Sequence, residues 1–257
     1  METTDAVPTG RARRSRNPLG RVLRRAEVTG VEQLAARTRL VRLAGPALAG
    51  VAWTPGQHVS MVLADPSAPG TWLRNPLDLK RTYSVWDFHP DGRLDLALYD
   101  HGGDAPGARW AREAAPGRAV LVKGPEGHLV AQPDAAYHVF AGDDTAAVAF
   151  GAILRALPAT ARVFGAIEYD HPDDALPLAR GDELTLVHRE GEPAADSPRL
   201  PAALAALTLP AEPGVAYVAG EARTIQAVRR HLVEDRGWPR RAVLTHPFWT
   251  PGRRGMD

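Results

Sequence analysis

The sequence changes texture once, near residue 131, and that change limits the folds open to it. From Arg21 to about Val130, short apolar runs are separated by Gly and Pro: "RVLRRAEVTGVEQL", "TRLVRLAG", "GQHVSMVLA", "KRTYSVWDF", "RLDLALYD" and "RAVLVKGPEG". Five or six strands at such spacing, with one short helical candidate in "PGARWAREAAP", predict a closed or nearly closed β-barrel. After "AQPDAA" the compact apolar strands "YHVFAG", "ARVFGAIEY", "ELTLVHR", "VAYVAG" and "AVLTHPF" alternate with helical segments. Such alternation with short links predicts a parallel sheet covered on both faces, an α/β domain of the nucleotide-binding kind. The expected division is a basic arm over residues 1–20, a barrel over 21–132 and the α/β domain over 135–257.

Two helices of the second half can be placed in detail. In "TAAVAFGAILRALP" Val148, Ile153, Leu154 and Leu157 can share one face, and Pro158 stops the turn. In "TIQAVRRHLVEDRG" Thr224 is the expected cap, Ile225, Val228 and Leu232 the buried stripe, and Gly237 the end.

Composition narrows the chemistry. The chain has no cysteine, so it can offer no disulfide, no thiolate nucleophile and no ligand to an iron–sulfur cluster. Electrons moving here would need an organic cofactor. The nine histidines lack the spacing of a metal-binding pair, so no metal site is expected. No apolar run approaches the length of a membrane span, and the first residues lack the apolar middle of a signal peptide, which predicts a cytoplasmic protein without membrane insertion. Net charge is +1, with seven Arg in residues 1–25; no aromatic residues are interleaved there to stack on bases, so no nucleic-acid partner is expected.

The chemistry concentrates in "LDLKRTYSVWDF" and "HGGDAPGARWA". A strand gains nothing from Lys80 and Arg81 at its mouth unless something anionic is held there. The planar fork of Arg81 suits a phosphate, Tyr83 can lie along a flavin or its ribityl chain, and Ser84 can hydrogen-bond the polar edge of the ring. About twenty residues later a Gly-rich turn opens a helix, with Pro106 near its first position and Trp110 as an apolar anchor. A pyrophosphate there would meet backbone N–H groups and the positive end of the helix dipole.

In this order the motifs resemble the siderophore-interacting proteins, FAD-containing ferric-siderophore reductases related to the ferredoxin-reductase flavoproteins. The resemblance covers nearly the whole chain and is carried by "GQHV", "KRTYSV", "HGGDAPGARWA", "GPEG", "AGDDTAAVAFGAILRALP", "GEPAADSPRL" and "VAGEARTIQAVRRHLVEDRGWPRRAV". It implies a flavin-binding, ferredoxin-reductase-like barrel that holds FAD, and an α/β domain that receives NADPH or NADH or faces a ferredoxin-type donor. The reaction it implies is reduction of Fe(III) in a ferric siderophore. Arg81, Tyr83 and Ser84 match the flavin motif, and His101, Gly102, Ala108, Arg109 and Trp110 match the segment that reaches the FAD phosphates. Asp143, Asp144 and Thr145 occupy the turn after the first strand of the second domain; Gly220 and Glu221 match a turn near the nicotinamide. Arg189 ends the third strand of the sheet, where an adenosine 2′-phosphate can be read, which favours NADPH. Lys80, Arg74, Arg253 and Arg254 can attract an anionic chelate.

Departures from the resemblance bear on substrate more than on FAD. Trp86 stands where many relatives have Arg, Ala105 and Ala108 replace the usual Gly and Ser, and "THPFWTPG" differs from the usual ending. Asp143 and Asp144 would repel a pyrophosphate at close range, and helix capping is their other expected role, leaving Arg189 or Arg223 to grip a dinucleotide. Structural hydrogen bonding is expected for His58 and His101. No residue is required as a proton-transferring catalyst. Two alternatives stand beside the reductase: a related flavoprotein recruited to a redox step in small-molecule biosynthesis, and a module that binds a chelate without flavin.

Overall fold

The computed structural model describes residues 23–63, 80–104 and 106–252. The arm, Arg74, Ala105, Arg253 and Arg254 lie outside the described residues. Six antiparallel strands close into a barrel in the order β1-β2-β5-β4-β3-β6. They are β1 (Arg24–Ala35), β2 (Thr38–Ala44), β3 (His58–Val62), β4 (Lys80–Phe88), β5 (Arg93–Tyr99) and β6 (Ala119–Glu126). The alternation that announces a strand also fills the barrel: in "RLDLALY" the period of two sends Leu94, Leu96 and Leu98 inward, where they meet Val41, Val59, Met61 and Val120. Closure by the β1–β6 pairing leaves the barrel no unpaired edge. Helix α1 (Pro106–Glu113) lies between β5 and β6 and sinks Trp110 and Ala111 into the barrel core.

The second half is a five-stranded parallel sheet in the order β11-β10-β7-β8-β9. Its strands are β7 (His138–Asp143), β8 (Val163–Tyr169), β9 (Thr185–His188), β10 (Val215–Glu221) and β11 (Val243–Trp249). Central strands β7 and β10 are buried at every residue, as a sheet covered on both faces requires. Alternate residues serve opposite cores. Phe140, Tyr217 and Ala219 pack with α2 (Ala147–Ala156), whereas Val139, Ala141 and Val218 pack towards α3 (Arg199–Ala205) and α4 (Ala222–Arg230).

Helix α2 departs from the one-faced stripe expected of it. Every residue from Ala147 to Leu154 is buried. The cause is a second layer on its outer side: β4 of the barrel lays Trp86 against Gly151, where a Cβ would come within 2.7 Å of the indole. Arg155 closes over the same ring, its guanidinium 4.3 Å from the ring centroid, and donates to the Trp86 carbonyl. Trp86 is therefore a joint between the two halves. The cap of α4 also differs. Glu221, not Thr224, accepts from the N–H groups of Arg223 and Thr224, while Thr224 donates its hydroxyl to Glu221 and accepts from the N–H of Ser197.

A second joint lies beyond β1. Arg37, in the turn between β1 and β2, reaches Asp174 at 2.8 Å and Asp170 at 2.9 Å in the loop after β8, and stacks on Tyr99 of β5. The carboxylate of Asp174 is almost fully buried, and this guanidinium is the counter-charge beside it.

Candidate functional site

Strand β4 presents two faces. Tyr83 packs with Val85 against the barrel core, and Ser84 and Trp86 lie on the other side, which faces the parallel sheet. The phenol Oη of Tyr83 is buried and has no hydrogen-bond partner within the chain; burial pushes its pKa well above the usual phenol value, against the pull of Arg81, so it stays a neutral donor. Directly over it runs the first turn of α1. A Cβ on Gly107 would lie 3.1 Å from Tyr83 Oη and 3.4 Å from the Arg81 stem. A side chain there would crowd the Arg81-Tyr83 pair unless it shifted by a few tenths of an ångström. Ser60 Oγ, across from Thr82 on β3, is a second buried hydroxyl without a partner.

The Gly-rich turn before α1 is tied down by its own ions. Asp100 accepts from the N–H of Gly102 at 2.9 Å and pairs with Arg112, which also donates to the Gly103 carbonyl. Gly102 and Gly103 both take left-handed φ, +75° and +67°, so this loop needs glycines for its shape. Arg109 is exposed, with a long 3.5 Å contact to the Asp104 carbonyl, and His101 is exposed with its ring edge-on to Tyr99. Ala108 is buried and Trp110 is a core residue whose Nε1 has no partner. Among the residues expected to face the FAD phosphates, Arg81, Gly102 and Arg109 thus border the turn, and Gly107, unmarked in the sequence reading, makes the closest approach. Its signal was present as the Pro106-Gly107 pair at a helix start. A flavin nucleotide fits this donor set: an unpartnered buried phenol, a glycine-lined helix start and a guanidinium.

The C-terminal ends of β7, β8 and β10 are acidic instead. Asp143, Asp144, Glu168 and Glu221 are all buried there. Arg189 joins them: it is 4% exposed, donates to Asp144 at 2.9 Å and lies 3.4 Å from Glu168. Its two terminal nitrogens are committed to internal carboxylates, and its Nε is buried without a partner. Asp143 Oδ1 accepts from the N–H and hydroxyl of Thr145, at 3.0 and 2.5 Å. Its Oδ2 accepts from the N–H of Glu221 at 2.9 Å and from Trp249 Nε1 at 2.8 Å. Burial, with the charge of Asp144 beside it, pushes the Asp143 carboxyl up to about 6. Gly220, at φ +127°, is required here because a Cβ would sit 2.6 Å from that carboxyl group. The turn therefore spends the Thr145 donors internally and carries two buried carboxylates. Glu221 differs: burial alone would raise its pKa, but N–H groups of Thr224, Arg223 and Asp196 hold it below the usual range, while its Oε1 is buried without a partner. Arg223, the other expected grip, is exposed and 4.0 Å from Asp196.

The two halves meet at a histidine pair. His58 on β3 stands opposite Ser84 in register, and its ring centroid is 5.6 Å from that of His246 on β11. Burial, and then the neighbouring imidazole of His246, holds His58 below its ordinary pKa; burial and His128 do the same to His246. Lys80 is exposed at the start of β4. Among the described residues no cluster of three or more His, Cys, Asp or Glu could hold a metal ion, and no helix is long and apolar enough to cross a membrane.

A closed six-stranded antiparallel barrel followed by a parallel five-stranded sheet is the fold of the ferredoxin-reductase-like flavoproteins. At 16% and 21% identity, the flavohaem-like FAD/NAD-binding domain of a nitric oxide dioxygenase from Vibrio cholerae and the ferredoxin reductase of carbazole 1,9a-dioxygenase share it, with TM-scores of 0.70 and 0.68. Within that class the chain belongs to the siderophore-interacting proteins. Residues 27–129 match the siderophore-interacting FAD-binding domain and residues 135–252 the siderophore-interacting protein domain. A siderophore utilization protein from T. fusca is 29% identical with a TM-score of 0.76, covering 91% of this chain and 95% of that one. The siderophore-interacting protein SipS from Aeromonas hydrophila is 26% identical, also with a TM-score of 0.76, covering 91% and 93%. The ferric vibriobactin reductase ViuB of Vibrio cholerae is 29% identical over 176 residues, 67% of this chain, and the match spans 65% of that reductase's length.

Proposed function

We propose that this protein is an FAD-dependent reductase of ferric siderophores, taking electrons from NADPH, NADH or another donor such as a ferredoxin-type protein and releasing Fe(II). The observation that carries the reading is the buried Tyr83 Oη between Arg81 and the first turn of α1, a donor to which the described residues offer no acceptor. Bound FAD would supply the one property this cysteine-free chain lacks, acceptance of two electrons together and their release one at a time. Arg81 and Arg109 would neutralise the phosphates, Tyr83 would donate to the cofactor's polar chain, and Ser84 would meet the ring edge on the face turned towards the sheet. The joint of Trp86, Gly151 and Arg155 would hold that face of β4 against α2.

On the donor side, Glu221 Oε1 can accept from the carboxamide N–H of a nicotinamide, while the phosphates of such a donor must lie away from the acidic β7 turn. The ferric chelate is substrate. Lys80 at the barrel mouth, and Arg74, Arg253 and Arg254, would draw in its negative charge, and one-electron reduction would weaken the hold of its oxygen donors on iron. The match to the ferric vibriobactin reductase supports the substrate class. The test is direct. Purified protein should be yellow and release FAD on denaturation, identified by mass. Under anaerobic conditions NADPH or NADH should bleach it, and a ferric siderophore should restore the colour as a chromogenic chelator traps Fe(II). Colourless protein free of flavin would remove the reading at its base, and reduced protein inert to every ferric chelate would remove the substrate.

A further inference from the structure

The glycine turn before α1 takes its shape through Asp100, whose carboxylate accepts from the Gly102 N–H at 2.9 Å and pairs with Arg112 of α1. Asp100 is itself held from outside the turn. Its own N–H donates to the Arg37 carbonyl at 2.8 Å, and the neighbouring Tyr99 ring lies under the Arg37 guanidinium, with Cζ 5.1 Å from the ring centroid. Tyr99 carries the contact one residue further, because the His101 ring stands edge-on to it at 4.8 Å. Arg37 thus reaches the lead-in to the turn twice, once by its backbone and once by its side chain.

The polar edge of the same guanidinium faces the α/β half. Nε and Nη2 donate to the carboxylate of Asp174 at 2.8 to 3.2 Å, and Nη2 also donates to Asp170 at 2.9 Å. The residue before it is tied to the same loop, since the Ala36 N–H donates to the Asp173 carbonyl at 2.8 Å. Asp170 in turn accepts from the Gly191 N–H at 3.0 Å, which adds the loop after β9 to the chain of contacts. A planar fork that holds two carboxylates at its edge and an aromatic ring at its face cannot rotate without giving up one of them. Fastening the two halves together would need only the carboxylates; the stack on Tyr99 and the backbone bond to Asp100 lead on to the turn.

We infer that Arg37 is a positioning residue for the flavin nucleotide: it ties the Asp100–Gly103 turn to the loop after β8, so that the turn holds the shape that meets the cofactor's phosphates while the two halves are docked. This rests on the FAD part of the proposed function. Arg37 acts through Asp100 and Tyr99 and not by contact with the cofactor. By reciprocity, FAD bound at the turn favours the docked arrangement of the halves.

The full chain, stripped of flavin, is titrated with FAD as wild type, Arg37→Met and Arg37→Lys. Lysine keeps a positive charge beside Asp174 but has no planar fork to hold two carboxylates while covering Tyr99. FAD affinity, read from the quenching of flavin fluorescence, should fall roughly tenfold in Arg37→Met and by nearly as much in Arg37→Lys. Hydrogen exchange read by mass spectrometry should be faster in both variants in peptides covering Asp100 to Gly103, with those of α4 unchanged. Unchanged FAD affinity in Arg37→Met overturns the inference. So does weakened affinity with exchange raised evenly along the chain, which would mark Arg37 as structural only, and so does full affinity in Arg37→Lys, which would reduce its role to the counter-charge of Asp174. Wild type that binds no FAD removes the flavin reading and the inference with it, whereas equal binding by wild type and both variants removes the role of Arg37 alone. Should Arg37→Met fail to fold, Arg37→Lys supplies both readouts.

Discussion

A phenol without a partner costs the folded protein free energy, and Tyr83 keeps one where the barrel turns towards α1. Tyr83→Phe should therefore leave the FAD-free protein as stable or up to about 1 kcal/mol more stable, while FAD binding weakens roughly tenfold. Paired urea melts and flavin titrations would read the two effects; a stability loss with unchanged binding would assign the phenol to packing. Gly107→Val tests the same seat from the helix side. Its side chain must enter the 3.1 Å gap over Tyr83 Oη, so the variant should fold and emerge without flavin. A yellow Gly107→Val protein would show that FAD does not pass between α1 and β4. The sequence displayed Arg81, Tyr83 and Ser84 openly, because their chemistry is contiguous on one strand. It hid the fate of Arg189, whose partners Asp144 and Glu168 lie 45 and 21 residues away and become neighbours only when β7, β8 and the end of β9 align.

At the scale of elements, helix α4 shows how a functional turn and a cap can be one residue. Glu221 accepts from two N–H groups of the first turn and from Thr224 Oγ1, so Glu221→Ala should cost about 1–2 kcal/mol, and Thr224→Val less, because the backbone bonds to Glu221 remain. Chemical denaturation of the two variants checks the order; equal losses would mean that Thr224 is the true cap. Sequence spacing points to Thr224, since a hydroxyl before a hydrophobic stripe is the usual signature, and the resemblance places Glu221 in a turn near the nicotinamide. It is both, the last residue of β10 and the cap of α4. The same limit explains α2. Its Ala-rich sequence fixes a helix and a buried face, yet the second buried face exists because Trp86 of β4 arrives from the other half of the chain, 65 residues from Gly151.

Across the whole molecule, barrel and sheet are joined through side-chain pairs that include Trp86 with Arg155, Arg37 with Asp170 and Asp174, and His58 with His246. Barrel-then-sheet order was legible from the texture change, but these joints were not, since each pairs residues that no periodicity links. Arg37→Met strips the buried Asp174 of its counter-charge and should cost about 2 kcal/mol, discounted for the partial exposure of the guanidinium. The histidine joint predicts a pH response. Both imidazoles have folded pKa values below their unfolded value, so the unfolded chain binds more protons as pH falls. Their contribution to stability is present above the unfolded value and is lost as pH drops from there through the folded values. Glu126 opposes this at His58, while Lys80 and His128 reinforce it. Asp143 acts with the opposite sign, since its folded value is raised to about 6 and it takes up protons more readily folded than unfolded. Comparing wild type with His246→Phe cancels the Asp143 contribution, because both proteins carry it. Between neutral and mildly acidic pH the melting temperature of wild type should fall more than that of His246→Phe, and small-angle scattering on the wild type should show the two halves moving apart before the barrel unfolds. Parallel melting curves for the two proteins over that range would mean that the imidazoles are too well solvated to feel each other, and the joint would then be held by Trp86 and Arg37 alone.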